Sequence, residues 1–124
     1  MPKPLVVFTY SGCSTCRDAV TWLRKHDLAF EEKPIRETPP SVAELKRMLS
    51  FQGGELRRLF NTSGLEYKAL DLKTKLPGLS EGEALHLLST NGRLVKRPFL
   101  LGGAVGLVGF KPDVWKSALA AKRA

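Results

Sequence analysis

The sequence predicts an α/β fold: a mixed four-stranded sheet flanked by helices, with a βαβ half at the start of the chain, a ββα half at its end and a helical insertion between them. Three observations carry this expectation. Residues 5–10 (LVVFTY) are a β-branched and aromatic run that stops at Ser11-Gly12 and passes directly into helical periodicity. Residues 99–109 (FLLGGAVGLVG) read as a hairpin turned at Gly102-Gly103, and a helix with Pro112 in its first turn follows. Between the halves stand two helix-start signatures, at Ser41 and Ser80. The expected organisation is one domain over residues 1–124, with halves at about 1–35 and 94–124 and the insertion at about 36–93.

In chain order, the first strand leads into a helix over about residues 14–26, whose apolar stripe is Cys16, Ala19, Val20 and Leu23. Residues 28–35 (LAFEEKPI) make a second strand with Leu28, Phe30 and Ile35 inward. Thr38-Pro39-Pro40 blocks helix formation, and Ser41 with Glu44 is a capping box for a helix with the stripe Val42, Leu45, Met48 and Leu49. Gly53-Gly54 ends it. Helical pieces pass through Leu56, Leu59 and Phe60, stop at residues 61–64 (NTSG), and resume around Tyr67, Leu70 and Leu72. After a turn at Pro77-Gly78, Ser80 and Glu83 cap a helix that runs through Leu85, Leu87 and Leu88 to an αL-type stop at Asn91-Gly92. The last helix buries Val114, Trp115, Ala118 and Leu119. A right-handed βαβ whose sheet later gains a hairpin and a terminal helix is the thioredoxin-like arrangement.

The formal charge is +8, but the lysines and arginines are scattered rather than gathered in a block or interleaved with aromatics. Direct nucleic-acid binding is therefore not expected, whereas an acidic partner or an oxyanion ligand is compatible with the charge. The apolar start is too short for a signal sequence, and no stretch approaches the roughly 20 apolar residues of a membrane span. A cytoplasmic protein is expected, in which two cysteines are not a structural staple. A monomer is expected too, since no long apolar stripe is left over once the core is assigned.

Cys13 and Cys16 stand three apart at a strand–turn–helix junction, where their Cα atoms would lie about 5–6 Å apart, within reach of a disulfide. The positive end of the helix dipole favours a thiolate at Cys13, while Cys16 shares the apolar stripe and points inward. The pair thus reads as a nucleophile and a resolving thiol. Two buried thiols acting as small hydrophobes are the plainer alternative. Zinc would need two further ligands, and only His26 and His86 are available, at unrelated spacings; no metal is expected. In "VKRPFLL", residues 95–101, Pro98 precedes an apolar strand and so occupies an edge, a strand start or a cis turn. Arg97 beside it supplies a guanidinium for a thiolate or an oxyanion.

The segments "YSGCSTCRDA", "TPPSVAELKRML", "LRRLFNTSGLEYKALDL", "EALHLL", "KRPFLL" and "VGFKPDVW" together resemble the ArsC/Spx family of arsenate reductase-like, thioredoxin-fold proteins. The resemblance implies a cis Arg97-Pro98 bond and a catalytic role for Cys13, with Cys16 resolving and Arg97 stabilising the anion. ArsC-type members reduce arsenate with glutathione and glutaredoxin and hold the oxyanion with three arginines. Arg97 matches one of these, the second position falls at Asn61 and the third at Lys111. Ser14, Thr15 and Arg17, with Pro98, complete the implied substrate site. No bound cofactor is implied, and glutathione, glutaredoxin or thioredoxin would supply electrons. Spx-type members use the CxxC as a redox switch and bind the C-terminal domain of the RNA polymerase α subunit, through a glycine that falls at Gly53 or Gly54. A redox-neutral interaction domain is the third expectation.

Overall fold

The computed structural model describes residues 5–123, with side chains placed to residue 119. Four strands form one sheet: β1 (Leu5–Thr9), β2 (Phe30–Pro34), β3 (Phe99–Leu101) and β4 (Gly106–Val108), in the order β2-β1-β3-β4. β1 and β2 are parallel, while β3 runs antiparallel to both β1 and β4. Helix α1 (Ser14–Lys25) makes the crossover between β1 and β2. The insertion folds as α2 (Val42–Phe51), α3 (Leu65–Ala69), α4 (Leu72–Lys75) and α5 (Glu81–Thr90), with short 3-10 turns between them, and α6 (Pro112–Arg123) closes the chain.

Strand alternation gives the sheet two buried faces. Val7, Leu100 and Leu107 face α1 and α6, packing with Ala19, Leu23, Trp115 and Leu119. Phe8, Phe99 and Leu101 face the opposite way, onto Leu45, Met48, Leu59, Leu85 and Leu88 of the insertion. Phe8 and Phe99 are register partners, and their rings meet edge to face at 5.6 Å. The insertion thus covers the face of the sheet that α1 and α6 leave bare.

Both capping boxes form. Ser41 and Ser80 each accept from the N–H of the glutamate three residues on, and that carboxylate accepts the serine N–H in return. The Glu83 carboxyl is held below its ordinary range by the Ser80 N–H and hydroxyl.

Several local expectations need correction. Val42 and Val114, expected on buried stripes, are 43% and 50% exposed. Val42 and Val114 sit in the first turns of their helices, ahead of the point where the stripe meets the sheet. The second strand is shorter than 28–35, and Gly102 N–H donates to Val105 O, which centres the hairpin turn on Gly103-Ala104. Asn91-Gly92 is not an αL stop, because Asn91 is extended (φ −144°) and its Oδ1 accepts from Arg93 N–H to start a 3-10 turn. Glycine is required at position 92 by close approach: a Cβ there would overlap the Ile35 carbonyl oxygen and lie 3.0 Å from Arg36 Cα.

Candidate functional site

The site begins where β1 runs out. Cys13 N–H donates to Tyr10 O at 3.0 Å, closing the turn, and Cys13 then caps α1 with its Sγ accepting the Cys16 N–H at 3.3 Å. An N-cap side chain normally offers oxygen for this bond; here sulfur takes the place, facing the unpaired amides of the helix start. Three residues on, Cys16 falls on the buried stripe and is 1% exposed, whereas Cys13 is half-buried. Burial pushes the Cys16 thiol up to about 12, helped by its hydrogen bond to Cys13 and by the Cys13 charge, while a backbone hydrogen bond at Tyr10 and the Arg97 charge pull the other way.

Cys13 opens on a cavity of about 630 Å³ that also takes in Thr15, Asn61 and Arg97. The long sequence separation is bridged by backbone pairing. Phe60 and Val95 form an antiparallel bridge, Asn61 N–H donates to Leu94 O at 2.7 Å and Lys96 N–H to Leu59 O at 2.8 Å, so the segments that carry Asn61 and Arg97 are tied together and both line the Cys13 cavity. The Arg97-Pro98 peptide is cis.

The remaining site candidates are placed elsewhere. Lys111 lines an adjoining hollow of about 860 Å³ with Arg57 and Arg58, which meets the Cys13 cavity along Thr15, Lys96 and Arg97. Arg17 is turned back on the loop, where it donates to Ser11 O at 2.8 Å and lines a separate hollow beside Cys16. Ser14 is exposed at the first position of α1. His26 stacks on Trp22 at 4.0 Å and His86 is exposed on α5; among the described residues no cluster of three or more His, Cys, Asp or Glu could hold a metal ion.

Sequence reading missed three cations of the Cys13 cavity, Arg36, Arg93 and Lys96, and the aromatic ring that organises one of them. Ile35 N–H donates to Thr9 O at 2.8 Å, extending the β1–β2 ladder, so Arg36 emerges beside Tyr10 at the same sheet end as the cysteine turn. Its guanidinium lies 3.7 Å from the Tyr10 ring centroid, and that of Arg97 lies 5.1 Å from it. Arg36 Nε and Arg97 Nη1 are buried without a hydrogen-bond partner. The signal available in the sequence was positional: ligands in parallel sheets gather beyond the carboxyl ends of the strands, and Arg36 stands there.

The geometry agrees with what the chain is similar to. It matches the ArsC family over residues 8–118. The uncharacterized protein YusI of Bacillus subtilis (strain 168) is 45% identical over 109 residues, 88% of this chain and 92% of that one. The global transcriptional regulator Spx of Streptococcus mutans is 30% identical over 88% of this chain and 78% of its own. The crystal structure of an ArsC family related protein from Bacteroides fragilis superposes with a TM-score of 0.87 at 39% identity, covering 95% of this chain and 99% of the other. With a strand–turn–helix CxxC, a thioredoxin-like sheet and a match across nearly its whole length, the chain belongs to the ArsC family.

Proposed function

We propose that this protein is an arsenate reductase-like thiol–disulfide oxidoreductase in which Cys13 attacks and Cys16 resolves. The observation that carries the reading is the asymmetry of the pair: Cys13 is half-exposed over a cationic cavity, and Cys16 is buried and held protonated. The Cys13 thiolate attacks one sulfur of a substrate disulfide; the new S–S bond forms as the old one breaks, and the leaving thiolate takes up a proton. Cys16 then loses its proton and attacks Cys13 Sγ, releasing the second thiol and leaving the Cys13–Cys16 disulfide. Two thiols of the protein are oxidised and one disulfide is reduced. The charge and hydrogen bond of Cys13 help to keep Cys16 protonated. Both vanish when Cys13 enters the mixed disulfide, which lightens the hold on the Cys16 proton at the step that needs it, while the larger effect of burial remains.

Glutathione, glutaredoxin or thioredoxin would return the pair to the dithiol, and the setting would be the cytoplasm, with the chain acting as a monomer. Arg97, with Ser14 and Thr15 at the helix start, would steady anionic charge near Cys13. Arsenate is the oxyanion to test. The experiment is a glutathione- and glutaredoxin-coupled assay of arsenate-dependent NADPH oxidation, run beside a trapping experiment with Cys16→Ser. The Cys16→Ser protein should accumulate a mixed disulfide at Cys13 that intact-mass analysis detects, and wild type should not. A wild-type arsenate rate no higher than that of Cys13→Ser would remove arsenate, and no adduct on Cys16→Ser would remove the attacking role of Cys13.

A second reading, a redox-sensing regulator of the Spx type, has support in the Spx relative and in Gly53-Gly54. Both glycines are exposed, with positive φ, and added Cβ atoms would meet nothing within 4 Å. Pull-down of the polymerase α C-terminal domain by reduced and oxidised protein tests it, and no binding in either state would reject it.

A further inference from the structure

We propose that the open edge of β4 is a docking strand for an extended, acidic polypeptide segment, which adds to the sheet there and is led toward Cys13. β4 is the last strand in the order β2-β1-β3-β4. Its edge lies in the hollow of about 860 Å³ between the end of α2 and the start of α6, which residues 106–111 line. Delivery of a polypeptide disulfide to Cys13 rests on the proposed role of that thiol. The docking itself does not, because it stands on the edge and on the charge around it.

The first observation is the backbone that β4 leaves unpaired. Gly102 N–H donates to Val105 O at 2.8 Å and Gly109 N–H to Pro98 O at 2.9 Å, with Leu100 opposite Leu107 between them. The residues bonded to β3 are therefore Val105, Leu107 and Gly109, and Gly106 and Val108 turn their N–H and C=O groups outward. Gln52 Nε2 donates to Gly106 O at 3.2 Å, and the Phe51 ring lies where a Cβ on Gly106 would be, so the end of the edge away from the cysteines is covered. At the other end, Val108 N–H and C=O have no hydrogen-bond partner among the described residues. Free backbone groups on a sheet edge are a template for one more strand. The open end is the one nearest the thiol: Gly109 stands opposite Pro98, and the hollow meets the Cys13 cavity along Thr15, Lys96 and Arg97.

The second observation is the charge. Arg57, Arg58, Lys96, Arg97 and Lys111 line the hollow against one carboxylate, Glu55, so a chain that docks there is favoured when its side chains are acidic. Two copies of this protein paired edge to edge would bring the same cations together, which opposes self-association. Nucleic acid matches the charge but has no peptide backbone to extend the ladder. The third observation is apolar surface: Phe51 of α2 and Val114 of α6 line the hollow and are exposed. Residues of an added strand point alternately to opposite sides, so each wall can take an apolar side chain set among the acidic ones.

The test is fluorescence anisotropy of a short, end-capped, fluorescein-labelled peptide of alternating Glu and Thr, titrated with the reduced full-length protein. The peptide should bind, more weakly as sodium chloride is raised, and the Val108 N–H resonance should shift on titration. Replacing Glu by Lys in the peptide should weaken binding at least about tenfold. A fully N-methylated version keeps the carboxylates but cannot pair as a strand, and it should lose about tenfold as well. Val108→Pro removes the N–H that faces the hollow and leaves the bonds to β3 in place, so it should weaken the acidic peptide by up to about tenfold. A circular dichroism melt checks that this variant is folded; if it is not, the N-methylated peptide decides. Cys13→Ser should bind the peptide as wild type does, so loss of the proposed nucleophile leaves the docking measurable. No binding of the acidic peptide overturns the proposal, as does equal binding of the Lys or the N-methylated version. Oligothymidylate binding more tightly than the peptide assigns the surface to nucleic acid, and a dimer in sedimentation velocity that Val108→Pro dissociates assigns the edge to a second copy; either result also overturns it.

Discussion

Gly92→Ala tests whether the site is positioned by backbone contact between the insertion and the first half of the sheet. Gly92 is buried, and a Cβ on it would lie 2.8 Å from the Ile35 carbonyl carbon and 3.0 Å from Arg36 Cα, nearer still to the carbonyl oxygen. Carbon–carbon contact becomes favourable only near ~3.5 Å, so the two segments must part by at least about half an ångström. No side-chain rotation relieves this, because the three nearest atoms are all backbone. Parting them strains the Ile35 N–H to Thr9 O bond of 2.8 Å that ties the end of β2 to β1. Overpacking of this kind costs about 1–3 kcal/mol, and a lost backbone hydrogen bond adds roughly 1 kcal/mol. Urea unfolding should show a midpoint shift worth about 2–4 kcal/mol with unchanged m-value. A variant within about 0.5 kcal/mol of wild type, the usual spread for a neutral surface change, would refute the close-approach argument.

Two further outcomes are expected. An ordinary cysteine ionises near 9.0, whereas burial holds Cys16 up to about 12, so the folded chain keeps a proton that the unfolded chain releases in that interval. The resulting stability is whole below pH 9 and falls as pH rises toward 12. Denaturation between pH 8 and 11 should therefore lose less stability per pH unit in Cys16→Ala than in wild type, and equal slopes would remove the burial argument. Gly82→Ala, in the first turn of α5 with nothing within 4 Å of its Cβ, should raise stability by about 0.5–1 kcal/mol, read as a higher urea midpoint. A drop would mean that the glycine has a packing role.

What the sequence disclosed follows the range of the forces involved. The β1 turn, both capping boxes and the α1 stripe are decided within four residues, and each is found where spacing placed it. Helix periodicity reads equally well at a helix end that overhangs the sheet, which is why Val42 and Val114 look like core but lie exposed. The reason for glycine at position 92 was out of reach for a different cause. Asn91-Gly92 has the composition of a helix stop, and only the tertiary approach of Ile35 and Arg36 shows that the missing Cβ matters more than the torsion. Arg36 was hidden in the same way: its partner Tyr10 is a neighbour through the β1–β2 ladder, and nothing local distinguishes it from the other scattered cations.

The thiol pair and the cationic lining of the Cys13 cavity are held by different parts of the chain. The thiol pair is set by backbone: Cys13 N–H on Tyr10 O, Cys16 N–H on Cys13 Sγ, and a three-residue spacing that in any helix starting at Ser14 turns Cys16 onto the stripe with Ala19, Val20 and Leu23. The cationic part is set by side chains leaning on one ring, with Arg36 arriving from the end of β2 and Arg97 from the strap before β3. A Cβ at Gly12 would meet the Tyr10 ring at 2.5 Å, and the three atoms nearest to it all belong to that ring and its hydroxyl. Displacing that ring therefore loosens the guanidinium pair while the cysteine turn keeps its hydrogen bonds. The cysteine turn and the cationic lining of the cavity are consequently separable parts of this fold.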